Sequence, residues 1–78
     1  LGISSGQGAL VSNCVVRDCG ANGIVAQNGS LVRGCTSFSN STVGIVVDSG
    51  TVHGCAMRDN AINLVLMGAS AAHDNSAP

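Results

Sequence analysis

Residues 29–49 read GSLVRGCTSFSNSTVGIVVDS, and this segment organises the rest of the chain. The same pattern precedes it in residues 8–28, GALVSNCVVRDCGANGIVAQN, and follows it in residues 50–69, GTVHGCAMRDNAINLVLMGA. A period of about 20 residues is typical of a solenoid, in which each repeat forms one coil and buries its apolar face by stacking on its neighbours. Residues 1–7 read as the end of an earlier coil and residues 70–78 as the start of a further one. The sequence therefore predicts a single domain, 1–78, with three full coils and a half-coil at each end.

When the segments are set in register, apolar residues fall into columns of equivalent positions. Neighbouring columns are two residues apart, which is the spacing of side chains on one face of a strand. Gly or Asn interrupts every stretch of about six residues, and no segment has the period of a helix. We predict an all-β solenoid with about three short strands per coil, each pairing in parallel with its equivalent one coil away. The predicted core ladders are Ile24, Ile45 and Leu64; Val11, Val32 and Val52; and Cys14, Cys35 and Cys55.

The turns of the repeat have columns of their own. Asn40 and Asn60 share a turn column with Cys19 in the preceding coil. Stacked asparagines can hydrogen-bond to one another along the axis of a parallel stack, so we predict an asparagine ladder here. Gly8 and Gly29 mark another turn together with Gly50. Glycine at such corners permits a positive φ, and asparagine is the next most tolerant residue.

The segments GSLVRGCTSFSN (29–40), GTVHGCAMRDN (50–60) and GIVV (44–47) carry a family resemblance. They resemble the repeat G-S-x-V-x-x-C-x-x-x-x-N-x-x-x-G-I-x-V of the pectate-lyase-like superfamily of right-handed parallel β-helices. The resemblance covers essentially the whole chain and implies a right-handed coil, in line with the strong right-handed preference of parallel crossovers. Because the motif consists of core and turn positions, it implies a fold and not an activity. Members of the superfamily include polysaccharide lyases, glycoside hydrolases, phage tailspikes and surface adhesins.

The composition argues against several classes of partner. The three cations among the 78 residues are all arginines, the net charge is −1, and charged residues make up 9% of the chain. Nucleic acids and anionic lipids are bound through clusters of positive charge, so neither is predicted as a partner. The longest apolar run, Leu64 to Met67, is far shorter than the roughly 18 residues of a membrane span. We therefore predict no membrane insertion.

The four cysteines leave three interpretations open. Cys14, Cys35 and Cys55 share one column, where small buried thiols serve as inert core residues. Neighbouring coils are close enough for one disulfide, Cys14–Cys35 or Cys35–Cys55, if the strand geometry allows it. A metal site is not predicted, because there is no CxxC pair and the thiols align along an axis instead of converging. Cys19 lies at a turn and is expected to be the most exposed thiol. No cofactor is predicted.

The two histidines are predicted to lie on the surface. His53 and His73 occupy one outward-facing column, one coil apart. Stacked imidazoles could bind a metal weakly, but no carboxylate is expected to be fixed beside them. Asp48 and Asp74 are expected on parts of the perimeter other than that of Asp18 and Asp59.

Convergent carboxylates for acid–base catalysis are not evident either. Asp18 and Asp59 are two coils apart and are expected to form surface pairs with Arg17 and Arg58. Phe38 alone does not form the aromatic platform on which carbohydrates usually stack. We predict no catalytic residues and no enzymatic activity, with carbohydrate left open as a ligand.

The two half-coils supply the functional hypothesis. A solenoid exposes a sheet edge at each end, and the sequence of this chain contains no segment that resembles a cap. The head and the tail are complementary parts of a single coil, with core positions at Gly2, Ile3, Ser5, Ala72, Asn75 and Ala77. We therefore expect a structural solenoid, extracellular or at the cell surface, that binds itself head to tail in a filament. The alternative is a fragment of a larger β-helical carbohydrate-active enzyme or adhesin whose site lies outside these residues.

Overall fold

The computed structural model describes residues 2–76, which form eleven short strands and no helix. No helix in this part of the chain is therefore long and apolar enough to cross a membrane. Most of the strands are very short, and only β7 and β10 are longer. In chain order they are β1 Ile3–Ser5, β2 Leu10–Ser12, β3 Val15–Arg17, β4 Ile24–Ala26, β5 Leu31–Arg33, β6 Thr36–Phe38, β7 Val43–Asp48, β8 Thr51–His53, β9 Ala56–Arg58, β10 Ile62–Met67 and β11 Ala71–His73.

The strands assemble into three parallel sheets that wrap around one axis. Sheet A has the order β1-β4-β7-β10, sheet B the order β11-β8-β5-β2, and sheet C the order β3-β6-β9. Every strand pairs in parallel with its equivalent in the neighbouring coil. The all-β, parallel solenoid predicted from the repeat is confirmed, with about four turns.

The core consists of the inward-facing residues of all three sheets. In the short strands of sheets B and C the middle residue points inward, as Val32 and Met57 do. In sheet A the inward residues are the first and third of β4, Ile24 and Ala26. The interior is narrow, so small and β-branched side chains fill it, and Ile24, Val32, Ile45, Val47 and Val52 are all fully buried.

The coils differ in length, and the turns absorb the differences. In sheet B, Val32 pairs with Val11 of the preceding coil and with Val52 of the following coil, and the second interval is the shorter. In sheet A the interval between Ile45 and Leu64 is shorter again. The offset changes only between strands, so each core ladder keeps its register through the stack.

Left-handed backbone at the turns is shared between glycine and polar residues. Gly8 and Gly29 have φ values of 65° and 77°. The expectation for Gly50 is wrong, because its neighbour Ser49 takes the left-handed conformation in that coil, with φ 52°. Gly50 is needed for a different reason, since a Cβ there would lie 2.5 Å from the carbonyl oxygen of Ser30. Side chains that can hydrogen-bond locally tolerate this region best, and the other non-glycine residues with positive φ are Asn13, Asp18, Ser39, Asp59 and Asp74.

Candidate functional site

The cysteine column runs through the interior beside sheet C. Cys14, Cys35 and Cys55 each come directly before a strand of that sheet, in matching register. All are free thiols; Cys35 and Cys55 are 1% and 2% exposed, and Cys14 is half-buried. Each Sγ donates to the carbonyl two residues earlier, at 3.3 Å for Cys14, 3.3 Å for Cys35 and 3.6 Å for Cys55. The same side-chain conformation is therefore repeated in three coils, which stacks the sulfurs along the axis.

The central thiol of the column is held in its protonated form. Burial raises the pKa of Cys35 above its usual value, the neighbouring thiols of Cys55 and Cys14 add to this, and a backbone hydrogen bond with Cys14 opposes it. The thiolate is the reactive form of cysteine, so this thiol is a poor nucleophile.

We expect iodoacetamide to alkylate Cys35 more slowly than Cys14 or Cys19 in the folded chain. The reason is that Cys35 is both buried and protonated, whereas Cys14 and Cys19 are half-buried. Timed alkylation followed by peptide mass spectrometry measures the three rates, with the same reaction in denaturant as the control. Equal rates in the folded and denatured chains would contradict this description of the column.

The asparagine column joins sheet C to sheet A. Asn40 is 3% exposed, and its Nδ2 donates to Asn60 Oδ1 and to Ser37 Oγ, both at 2.9 Å. Asn60 Oδ1 also accepts the backbone N–H of Asn40 at 2.9 Å, and Asn40 Oδ1 accepts that of Cys19 at 3.1 Å. Ser37 Oγ then donates to the carbonyl of Gly44 at 2.8 Å. The structure thus brings Asn40 and Asn60 together in a network that satisfies buried polar groups along the axis.

Cys19 begins this turn column and is less exposed than its turn position suggested. It is half-buried, like Cys14, and it packs against the edge of the core. Its Sγ donates to the Arg17 carbonyl at 3.6 Å. In the first coil the Cys19 thiol occupies the position that the Asn40 and Asn60 side chains occupy in the next two coils.

On the outer face of sheet B, His53 pairs in register with His73 and with Arg33. The expectation that no carboxylate is fixed beside the histidines is wrong, because His53 Nε2 lies 3.3 Å from Asp74 Oδ2. The turn after β11 places Asp74 beside the equivalent residue of the previous coil, Gly54, and so next to His53. The His53 and Asp74 side chains are 55% and 85% exposed, so solvent screens this pair and it contributes little to stability.

The outer face of sheet C carries a stack of two arginines and one phenylalanine. Phe38 pairs in register with Arg17 on one side and Arg58 on the other. Arg17 makes the expected contact with Asp18, at 3.8 Å and on the surface. Arg58 instead lies over the Phe38 ring, 5.1 Å from its centroid, a distance typical of a cation–π contact. Within residues 2–76, no three His, Cys, Asp or Glu side chains converge in a way that could hold a metal ion.

Three serines carry structural roles that the repeat pattern alone did not assign. Ser30 is 2% exposed, accepts the Ala9 backbone N–H at 3.2 Å and donates to the Gly6 carbonyl at 3.0 Å. Ser70 repeats this arrangement two coils later, accepting from Gly50 and donating to Val47. Ser37 is the fully buried centre of the asparagine network. For Ser30 the signal was present in the serine of the G-S-x-V pattern at residues 29–32, and Ser70 stands in the same column of the repeat.

The first and last coils of the described stack are the most exposed. In the inward column that contains Ala26 and Val47, these two residues are 1% and 0% exposed, whereas Leu66 in β10 is 41% exposed. Ile24 and Ile45 are fully buried, and their column partners in β1 and β10, Ile3 and Leu64, are only half-buried. The five exposed large hydrophobic residues all belong to the outermost strands of the described stack: Leu10, Val15, Ile62, Leu66 and Met67.

The residues predicted at the two ends lie on these outer layers. Ile3 and Ser5 pair with Ile24 and Ala26 in β1, and Gly2 donates its N–H to the backbone of Gly23 and Asn22. Ala72 pairs with Val52 in β11. Asn75 Oδ1 accepts the Cys55 N–H at 2.8 Å. Ala77 lies outside the described residues.

Comparison with known proteins agrees with this geometry. A search of curated proteins and a search of solved structures each found no match. The family described as the right handed beta helix region matches residues 1–77. The parallel ladders, the stacked asparagines and this match together show that the chain belongs to the right-handed β-helix family.

Proposed function

We propose that this chain is a non-enzymatic structural solenoid whose two outer layers pair with those of further copies, head to tail. The observation that carries the proposal is the gradient of burial along the two inward columns of sheet A, from fully buried Ile45 and Val47 in β7 to half-buried Leu64 and 41% exposed Leu66 in β10. An additional coil placed on β10 would bury Leu66 and Leu64 as Val47 and Ile45 are buried. Moving an aliphatic side chain from full exposure to full burial contributes about 1.5–3 kcal/mol, so burying the remaining exposed area of Leu64 and Leu66 contributes part of that amount and favours stacking.

Backbone groups at the two outer layers match each other in register. Ile3 donates its N–H inward to Gly23 at 2.8 Å, and strand residues alternate in direction, so the N–H and C=O of Ser4 face the open edge. At the other end the Met67 carbonyl accepts the Ser49 N–H at 2.8 Å. The backbone N–H and C=O groups of Leu64 and Leu66 therefore face the open edge, although their side chains point inward. In a continued stack, Ser4 would donate to the carbonyl of Leu64 and accept from the N–H of Leu66.

Sheet B supports the same register at the junction. Asn13 donates its N–H to Arg33 at 3.1 Å, which leaves the backbone of Leu10 and Ser12 facing the open edge. At the other end the Ala71 N–H donates to the Gly50 carbonyl at 2.9 Å, which leaves the backbone N–H and C=O of Ala72 facing the open edge. Ala72 would then pair with both Leu10 and Ser12 of the next copy, as each strand within the chain does with its neighbour.

Side chains at the two layers also fit in size and charge. In the inward columns, the large Leu66 would meet the small Ser5, and the small Ala72 would meet Val11. The last layer carries His73 and Asp74, which would face the uncharged Ser12 and Asn13 of the next copy. No like charges oppose each other at these positions, so little electrostatic repulsion protects the edges from pairing.

A contact between two different surfaces of one molecule does not close on itself, so it propagates as a filament. Electron microscopy at rising concentration is the direct test. We expect thin fibres with a repeat of about 4.8 Å along the axis. An extracellular or cell-surface location stays a prediction.

A pair of proline variants tests the register of the junction. Ser4→Pro and Ala72→Pro each remove an N–H that faces an open edge, and proline is tolerated at edge strands for this reason. We expect each variant alone to stay monomeric, and an equimolar mixture to form dimers that do not grow, because each variant keeps one intact layer. Light scattering and sedimentation measure the sizes, with Ser4→Ala as the matched control that retains the N–H.

Fibres formed equally well by both proline variants would contradict the proposed register. A wild-type chain that remains monomeric at every concentration would favour the alternative, in which further coils of a larger β-helical enzyme or adhesin cover these layers. The family match is compatible with that alternative, since it identifies a fold shared by both classes.

A further inference from the structure

The interior cysteine column has a spacing that suits a particular class of metal ion. Cys35 Sγ lies 3.3 Å from its own strand's Arg33 carbonyl and 3.6 Å from the Val11 carbonyl one coil earlier. Cys55 Sγ repeats this position, 3.6 Å from the His53 carbonyl and 3.6 Å from that of Val32. The sulfurs therefore follow one another at the coil spacing, which is about 4.8 Å in a parallel sheet.

A metal–thiolate bond is about 2.3 Å long, so two such bonds in a straight line span about 4.6 Å. A two-coordinate ion between neighbouring sulfurs of the column thus requires little movement of the backbone. Tetrahedral ions are a poor match, because the three thiols lie along one line and no group of three ligands converges within residues 2–76. Soft thiolate ligands select soft ions such as Cu(I).

We propose that the column binds one soft monovalent cation, of the Cu(I) or Ag(I) type, in linear coordination between Cys35 and a neighbouring cysteine. Two thiols lose their protons to solvent and bind the ion as thiolates, with no change in oxidation state. The site lies within one chain and does not depend on stacking between copies.

Cys35 is the indispensable ligand of this site. It has a column neighbour on each side, whereas Cys14 and Cys55 are two coils apart, about 10 Å, and no single ion can bridge them. Cys14 is half-buried in the first coil and gives the ion access to the column, while Cys55 is 2% exposed. The Cys14–Cys35 pair is the preferred site, because the net negative charge of a bis-thiolate complex costs less near solvent.

Silver nitrate in chloride-free buffer, with excess free cysteine as competitor, tests the proposal on the full chain. All proteins carry Cys19→Ser, so that only the column thiols remain. We expect one Ag(I) per chain by native mass spectrometry, a thiolate-to-metal absorption band in the ultraviolet, and two sulfur neighbours by X-ray absorption. Because one thiol cannot chelate, Cys35→Ser should weaken binding by about 100-fold under competition, although two column thiols remain.

Two further variants make the test decisive. Cys55→Ser keeps the Cys14–Cys35 pair and should bind Ag(I) like the parent. The double variant Cys14→Ser with Cys55→Ser keeps Cys35 alone and should lose binding, which decides the matter if Cys35→Ser fails to fold by circular dichroism. Parent-like binding by a folded Cys35→Ser variant, or by the double variant, would overturn the proposal.

Discussion

Replacement of Asn40 by aspartate is expected to destabilise the chain by about 3–5 kcal/mol at neutral pH, the usual cost of an uncompensated buried charge. Asn40 is 3% exposed, and its Nδ2 donates to Asn60 Oδ1 and Ser37 Oγ. In Asn40→Asp a carboxylate oxygen takes the place of that donor and faces the Asn60 Oδ1. The Asn60 amide cannot rotate to present its NH₂ group instead without losing its own hydrogen bonds. Small domains have about 5–15 kcal/mol of stability in total, so the loss is a large part of it.

The pH dependence of Asn40→Asp follows from the same geometry. Burial and the facing acceptor raise the pKa of the new carboxyl in the folded chain above its unfolded value. The free energy of unfolding of Asn40→Asp therefore approaches that of the wild type as pH falls below the pKa of the carboxyl in the unfolded chain. It is lost as pH rises through the pKa of the carboxyl in the folded chain. Urea unfolding followed by circular dichroism between neutral and acid pH measures this trend.

Asn22→Asp is the matched control, because it makes the same change of charge at a half-buried turn position. The Asn22 Oδ1 accepts the Val43 N–H at 3.2 Å, a bond that aspartate preserves. We expect a much smaller loss of stability than in Asn40→Asp. Equal losses in the two variants would mean that net charge, and not the ladder, governs the effect.

The second large effect is expected from Gly23→Ala, at about 3 kcal/mol or more from overpacking together with disrupted buried hydrogen bonds. A Cβ at Gly23 would lie 2.6 Å from Asn40 Nδ2 and 2.6 Å from the Gly44 carbonyl oxygen, and closer still to Ser37 Oγ. These atoms belong to the asparagine network and to the chain that leads through the next strand of sheet A. Neither the network nor that strand can move away from the new methyl group without breaking hydrogen bonds of the asparagine ladder.

Gly20→Ala is the control for this second prediction. A Cβ at Gly20 has no atom within 4 Å, and the residue does not have a positive φ. We expect its urea midpoint to remain close to that of the wild type, within about 0.5 kcal/mol, as for ordinary surface substitutions. The prediction for Gly23 fails if both alanine variants unfold at the same urea concentration.

The parts of the fold that the sequence predicted are those set by period and alternation. In a parallel stack each residue lies beside its equivalent one coil away, so columns such as Ile24–Ile45–Leu64 follow once the repeat is aligned. The core ladders of sheets B and C follow in the same way. Handedness came from the family resemblance and from the general preference of parallel crossovers.

The remaining features depend on how particular side chains pack, which alignment does not contain. The contact between His53 and Asp74 arises because the turn after β11 brings a carboxylate beside the previous coil. Ser49 has the left-handed φ in place of Gly50 because the number of residues between paired positions of these two coils is one smaller in sheet B than in sheet A. The burial of Ser30 and Ser37 reflects backbone groups at the turns that need a hydroxyl partner, and composition alone does not show where those groups lie.

The changes of offset between coils have a consequence for engineering. Residues 41–42 separate Asn40 from β7, whereas Ala61 alone separates Asn60 from β10, and the segment 68–70 takes the place of the shorter segment 49–50. These corners already accommodate chains of different length without shifting any strand. They are therefore natural positions at which to graft a foreign peptide, which would be displayed from a defined coil of the solenoid.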